Sequence, residues 1–311
     1  MIEQTPRVSF GVPVRNGAGT VGRCLESILR QDFGDFEIIV SDNASTDATC
    51  QRVEEFMARD SRIRLIRQPE NVGLIENFNQ LARAAHGELF RWVGADDWLE
   101  PDYTSSCVAA LDADPKAIVA TSGFELVDRH GEAVSRAWAG GFLESRSPCR
   151  RLAQMLTFFH AGLGVYEPNY AMVRTAVLLA SGLLPIHRHC DWLFAAKLSL
   201  MGPFVHVPKL LFHRGWSYPD RISLAGLAGR LHPIPRASLE PSVLNLYVGL
   251  VGVVGRAGLP PTEDLACQLL VLRFCASELR MRIVGAFREN RRSLGITRDL
   301  FDHSAGGPRS G

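Results

Sequence analysis

The sequence predicts an α/β architecture: a mostly parallel central sheet with flanking helices, extended by helices at the C-terminal end. Three observations carry that expectation. Short β-rich runs alternate with amphipathic helices through the first third of the chain, polar loops recur at the carboxyl ends of those runs, and helical periodicity dominates beyond Pro235. The 311 residues, 46% of them hydrophobic, suffice for one large domain or two modest ones.

The first strand is Val8 to Val14, and Val21, Cys24, Leu25, Ile28 and Leu29 recur at helical spacing across a helix from about Thr20 to Gln31. Phe36 to Ser41 is the second strand; it ends in Asp42-Asn43-Ala44-Ser45-Thr46-Asp47, whose Ser and Thr suit the cap of a helix carrying Val53, Phe56 and Met57 inward. Ile63 to Arg67 is the third strand, and the helix from about Leu74 to Ala85 stops at Gly87. Leu89 to Val93, the fourth strand, delivers Gly94-Ala95-Asp96-Asp97-Trp98 at its carboxyl end. In an open α/β sheet that end is where ligands bind.

A helix near Pro101 precedes strand-like Ala117 to Ser122 and Phe124 to Val127, with a turn at Arg129-His130-Gly131. Residues 147–160 read as helix, Tyr170 to Val173 as extended, Asp191 to Leu200 as helix and Pro203 to Phe212 as a strand. Two helical segments divided at Pro260-Pro261 follow, and the Gly/Ser/Pro-rich tail, residues 303–311, is expected to be disordered.

A net charge of +1 offers no global field to recruit nucleic acid. Seven cysteines, with no CxxC and no Cys/His zinc spacing, argue against a disulfide framework and for a reducing cytoplasm. The first ten residues lack the profile of a secretion signal. The longest apolar run, Leu244 to Val254, is about half of the roughly 20 residues a spanning helix needs, so no membrane span is expected.

Two motifs compete for the chemistry. Gly17-Ala18-Gly19-Thr20-Val21-Gly22 is a literal GxGxxG, with Asp42 about 20 residues on, the pattern of an NAD(P)- or FAD-dependent oxidoreductase. Against it, Arg15 and Asn16 separate the strand from the first glycine, and the acidic pair has no role in that scheme. Asp96 and Asp97 repel each other unless a cation or proton lies between them; a divalent ion would satisfy both and leave positions open for phosphates. A helix cap by Asp97 is the alternative.

The chain resembles the family 2 glycosyltransferases, inverting enzymes with the GT-A fold. The resemblance is carried by Val12-Pro13-Val14-Arg15-Asn16, by Leu25 to Gln31, by Glu37 to Asp47, by Asn71-Val72-Gly73, and by Gly87-Glu88-Leu89-Phe90 leading to Ala95-Asp96-Asp97. It is dense over the first 105 residues and looser afterwards. It implies a Rossmann-like GT-A domain, with a nucleotide-sugar half over residues 1–100 and an acceptor half over 101–232, followed by a helical region over 233–302. Pro13, Val14, Asn16, Asn71, Asn77 and Ala95 would border the donor, and Asp42 would accept from the N–H of uracil or thymine. Asp96 and Asp97 would hold Mn²⁺ or Mg²⁺, with Asp96 also near the nucleotide sugar. Gly94 departs from the family, many of whose members carry Asp there.

Inverting transfer needs a base for the acceptor hydroxyl. The resemblance assigns it to Asp191 at a helix start, with Cys190 where relatives often have Glu. His213 and Arg214 match a region that closes over the donor diphosphate, and His187, His189, Phe158, Phe159, Tyr166 and Tyr170 lie where an acceptor pocket is expected. The implied partners are a nucleotide-sugar donor, with UDP or dTDP favoured, and a glycan, lipid-linked or small-molecule acceptor. Leu244, Leu246, Tyr247, Leu250 and Val251 offer an apolar face for the core, a homodimer or a membrane surface. The expected location is cytoplasmic, with the inner face of the membrane as the alternative. A non-catalytic GT-A binding protein is a further reading.

Overall fold

A computed structural model of the chain describes residues 5–128, 132–137, 143–161, 167–215 and 243–293. The first half follows the predicted alternation: β1 (Val8–Val14), α1 (Val21–Leu29), β2 (Phe36–Asp42), α2 (Thr49–Met57), β3 (Ile63–Arg67), α3 (Leu74–Arg83), β4 (Leu89–Trp92), a two-residue β5 (Trp98–Leu99) and α4 (Tyr103–Ala113). The second half comprises β6 (Val119–Val127), β7 (Ala133–Ala137), α5 (Pro148–Ala161), α6 (Glu167–Tyr170), β8 (Met172–Arg174), α7 (Thr175–Ala180), α8 (Cys190–Met201) and β9 (Phe204–Gly215). Two helices close the described chain, α9 (Val243–Gly255) and α10 (Pro261–Ser293).

These strands form one sheet in the order β3-β2-β1-β4-β8-β6-β9-β5, with β7 paired to β6. β1, β2, β3 and β4 pair in parallel, β8 lies antiparallel between β4 and β6, and β9 runs parallel to β6. Period-two alternation divides the core into two layers. Val8, Phe10, Val12 and Val14 of β1 pack with Cys24, Leu25 and Ile28 of α1 on one face. On the other face Leu81, Phe90 and Trp92 join Phe159, Phe194, Leu250 and Phe274 from α5, α8, α9 and α10. Gly11 lies between the two layers, where a Cβ would come within 2.7 Å of the Phe90 ring.

The structure corrects three sequence boundaries. The two runs expected at Ala117 to Ser122 and Phe124 to Val127 are one strand, β6. Gly123 carries the strand through rather than ending it: the β6/β9 register shifts there, and a Cβ would meet the Lys209 carbonyl at 2.8 Å. β9 runs three residues past Phe212, because Phe212 to Gly215 pair with Phe124 to Val127. Tyr170, expected extended, closes the helical turn α6. The turn at 129–131, the 232/233 boundary and the tail at 303–311 lie outside the described residues.

Candidate active site

The carboxyl ends of β1, β2 and β4 open on a cavity of about 450 Å³. Pro13, Val14 and Asn16 form one wall, Asn77 of α3 another, and Ala95, Asp96 and Asp97 line it beyond β4. Tyr170, Arg214 and Gly215 line it from the second half of the chain.

Hydrogen bonds between the first two loops shape the cavity mouth. Asn16 adopts a left-handed backbone at φ 53°, which asparagine tolerates better than most residues. Its N–H donates to Ser45 Oγ and its Oδ1 accepts from the Thr46 N–H, both at 2.8 Å. Gly17 N–H donates to Thr49 Oγ1 at 2.9 Å and Ala18 N–H to Asp47 Oδ2 at 3.2 Å. The amides of the glycine loop are therefore occupied by the loop and helix start after β2. A dinucleotide pyrophosphate would need those donors, so the GxGxxG spacing is not a phosphate cradle here.

Asp42 is 3% exposed and its Oδ2 accepts from the Ser45 N–H at 3.0 Å, a side-chain bond to the amide three residues on that starts the loop. The next residue, Asn43, lines the cavity, and Asp42 does not. Asn43 also ties down the loop after β3: its Nδ2 donates to Asn71 Oδ1 at 2.9 Å and its Oδ1 accepts from Val72 N–H at 2.8 Å. Asn71 thus supports the wall from behind. Asn77 is buried and anchored to β2, its Oδ1 accepting from Ser41 Oγ at 2.6 Å and its Nδ2 donating to the Ser41 carbonyl at 3.1 Å.

Asp97 is 2% exposed. Its Oδ1 accepts from Gly215 N–H at 3.0 Å and its Oδ2 from Gly94 N–H at 3.2 Å. Burial pushes its carboxyl up to about 6, with Asp96 adding to the rise and Arg214 opposing it. Burial also raises Asp96, against the pull of Arg214 and Arg23. The Asp96 carbonyl accepts from Arg23 Nη2 at 3.1 Å, and the Arg23 guanidinium lies 3.8 Å from the centre of the Trp98 ring. Neither Arg23 nor Trp98 was marked as a site residue from sequence; a helix-surface arginine and a post-motif tryptophan become a buttress only through this contact.

His213 is not brought to the cavity. Its Nδ1 lies 2.9 Å from Glu125 Oε1, its Nε2 lies 2.6 Å from Glu100 Oε1, and its ring stacks on Trp98 at 5.0 Å. Strand alternation sends the two neighbours to opposite faces, so Arg214 turns into the cavity. Its guanidinium lies 4.5 Å from the centre of the Tyr170 ring, and its positive charge favours the ionised forms of Asp96, Asp97 and Asp191 alike.

Asp191 occupies the first turn of α8, with Oδ1 accepting from the Trp192 N–H at 3.0 Å. It is outside the lining of the cavity but within the field of Arg214. Burial raises its carboxyl to about 6. The neighbouring Cys190 thiol is pushed up to about 12 by burial and by Asp191, so it is not a competing base. Phe159 belongs to the core, stacked on Trp192 at 4.6 Å, whereas Tyr170 does line the cavity; Tyr166 lies outside the described residues.

The pair Asp96-Asp97 suits a hard divalent cation: two carboxylates whose ionised forms are penalised by burial, that of Asp97 also by Asp96, lining an open cavity. Among the described residues no group of three or more His, Cys, Asp or Glu side chains gathers as a metal cage. Such a pair leaves coordination positions for phosphate and water.

The open, mixed sheet, parallel from β3 to β4, with a paired-carboxylate loop beyond β4 defines a GT-A protein. The chain belongs to glycosyl transferase family 2, whose model matches residues 9–176. It is 26% identical over 215 residues to the chondroitin synthase of Escherichia coli, covering 68% of this chain and 29% of that protein. To the putative glycosyltransferase EpsH of Bacillus subtilis it is 34% identical over 125 residues, 40% of this chain and 36% of the relative. The chain thus spans about a third of the length of these relatives. The fold matches S. aureus TarS 1–349 in complex with UDP-GlcNAc at a TM-score of 0.64 and 20% identity, over 94% of this chain and 76% of that one. It matches the mannosyltransferase PcManGT of Pyrobaculum calidifontis, in complex with GDP-Man and Mn²⁺, at a TM-score of 0.54 and 20% identity, over 95% and 82%.

Proposed function

We propose that this chain is an inverting glycosyltransferase that moves one sugar from a nucleotide-diphosphate donor, UDP or dTDP by preference, to a hydroxyl of a glycan, lipid-linked saccharide or small molecule. The observation that carries the reading is Arg214. One guanidinium, set into the cavity wall by β9, acts electrostatically on the acidic pair beyond β4 and on Asp191 at the start of α8. A diphosphate anchor in the cavity wall and a proton acceptor beyond it, both within the field of one cation, are the two parts displacement at an anomeric carbon requires.

In this reading Pro13, Val14, Asn16 and Asn43 border the nucleoside and Asn77 the donor beyond it. Asp42 and Asn71 hold those residues in place. Asp96 and Asp97 hold Mn²⁺ or Mg²⁺, which supplies charge neutralisation to the leaving diphosphate. Arg214 adds a fixed positive charge on the same side. Asp191 takes the proton of the acceptor hydroxyl; a carboxyl raised to about 6 is ionised at neutral pH yet more basic than an ordinary aspartate.

The test is nucleotide release from a panel of UDP-, dTDP- and GDP-sugars, with and without EDTA, followed by NMR of the product anomer. Release that depends on a divalent ion and yields the inverted anomer is expected. Turnover unaffected by EDTA would remove the metal assignment, a retained anomer would remove Asp191 as base, and donor binding without turnover would leave a GT-A binding protein.

A further inference from the structure

Of the eleven large apolar side chains that stand exposed among the described residues, seven lie on α9 and α10. On α10 they form a line. Leu265, Leu269, Leu272 and Leu279, between 51% and 61% exposed, follow one another at steps of four, three and seven, with exposed Ala276 in the gap. At about 100° per residue these positions fall within an arc of roughly 80° along the helix. The opposite side of α10 is already occupied: Cys267, Val271, Phe274 and Cys275 are buried in the core shared with α5, α8 and α9, and Phe274 meets the rings of Phe159 and Trp192. The leucine stripe is therefore not needed to hold α10 on the domain.

The charge beside the stripe selects its partner. Exposed Arg273 and Arg280 border the stripe within about 40° on one side. Over the whole of α10 the sequence holds six arginines against three glutamates and one aspartate, a net charge of +2, with Glu263 and Asp264 confined to the first turn and every arginine at or beyond position 273. A second copy packed antiparallel on the same stripe would set arginine against arginine. An anionic lipid surface complements both components, taking the leucines into its apolar boundary while the guanidinium groups meet its headgroups. No helix among the described residues is long and apolar enough to cross a membrane, so contact would be made along the helix side.

We propose that α10 docks this protein on the surface of an anionic membrane, through Leu265, Leu269, Leu272 and Leu279 with Arg273 and Arg280 beside them. The docking face belongs to none of the elements that line the cavity, and the inference stands or falls independently of the transferase reading.

The experiment is co-sedimentation of the full chain with vesicles of phosphatidylcholine alone and of phosphatidylcholine with phosphatidylglycerol, at low and high salt, beside sedimentation equilibrium without lipid. The wild type is expected to be a monomer that sediments with the anionic vesicles and is released by salt. Leu269→Ser with Leu272→Ser, and Arg273→Glu with Arg280→Glu, are each expected to weaken binding at least about tenfold, with unfolding temperature and any donor turnover unchanged. Failure to bind the anionic vesicles, or binding unaltered in both double variants, would overturn the proposal. So would a lipid-free dimer dissociated by the leucine substitutions, which would assign the stripe to a second copy.

Discussion

The amide of Gly94 donates to Asp97 Oδ2 at 3.2 Å, and a Cβ built on Gly94 would lie 2.6 Å from that same oxygen. The absence of a carboxylate at position 94 is therefore more than a missing ligand. The Asp97 carboxylate takes up the space that a side chain at 94 would need, braced from the other side by the Gly215 amide.

Gly94→Ala tests that arrangement with a single methyl group. The Asp97 carboxylate must turn away from the Gly94 amide, losing a charge-assisted hydrogen bond of about 1.5–3 kcal/mol. Donor turnover is expected to fall by about tenfold or more, with a higher divalent-ion concentration at half-activity. Kinetics identical to wild type across an Mn²⁺ titration would show that Asp97 need not be held in this position.

In the proposed mechanism the acid limb of the rate profile belongs to Asp191. Burial raises its carboxyl to about 6, so transfer that needs it ionised is expected to fall as pH drops through about 6. Asp191→Asn should lower transfer by about 10²–10⁴. Stability moves the other way. A carboxyl raised in the folded state favours folding fully below its ordinary value of 3.8, and that advantage is lost as pH rises through about 6. Asp191→Asn should thus unfold at a higher temperature than wild type at neutral pH and gain little in acid, measured by calorimetry across pH.

Arg214 holds all three aspartates toward their ionised forms. Arg214→Gln is expected to shift the acid limb to higher pH as well as to lower turnover, whereas Arg214→Lys should keep the limb near its wild-type position while losing the planar donor pair. A limb unmoved in Arg214→Gln would detach Arg214 from these carboxylates.

His213 offers the contrasting case. Set between Glu100 and Glu125 and stacked on Trp98, it ties β5 and β6 to β9 and does not line the cavity. His213→Ala is expected to cost about 1–3 kcal/mol of stability, seen in denaturant unfolding, with donor KM unchanged. A raised KM at unchanged stability would return His213 to the binding site.

Much of the frame was legible because its signals are local. The alternation of Val8, Phe10, Val12 and Val14, the helical recurrence of Cys24, Leu25 and Ile28, and the loop after Phe36 to Asp42 fall where period and turn chemistry put them. β5 was not legible: two residues carry no periodicity, and Trp98 and Leu99 are strand only because β9 pairs with them. Gly123 looked like a strand end because an interior glycine is the same letter whether it breaks a ladder or admits a close backbone.

The site divides the same way. Residue types and order along the chain determined that an acidic pair follows β4, that Asp191 opens a helix, and that polar loops cluster at the strand ends. Side-chain direction and long-range proximity were decided only by the tertiary structure. It put Asn43 rather than Asp42 on the cavity wall, turned Arg214 inward and His213 outward on one strand, and occupied the Gly17 and Ala18 amides with Thr49 and Asp47. The physical reason is that a backbone pattern repeats every two or four residues and can be read locally, whereas the charge of Arg214 reaches Asp97 and Asp191 only once β9 has been laid beside β6.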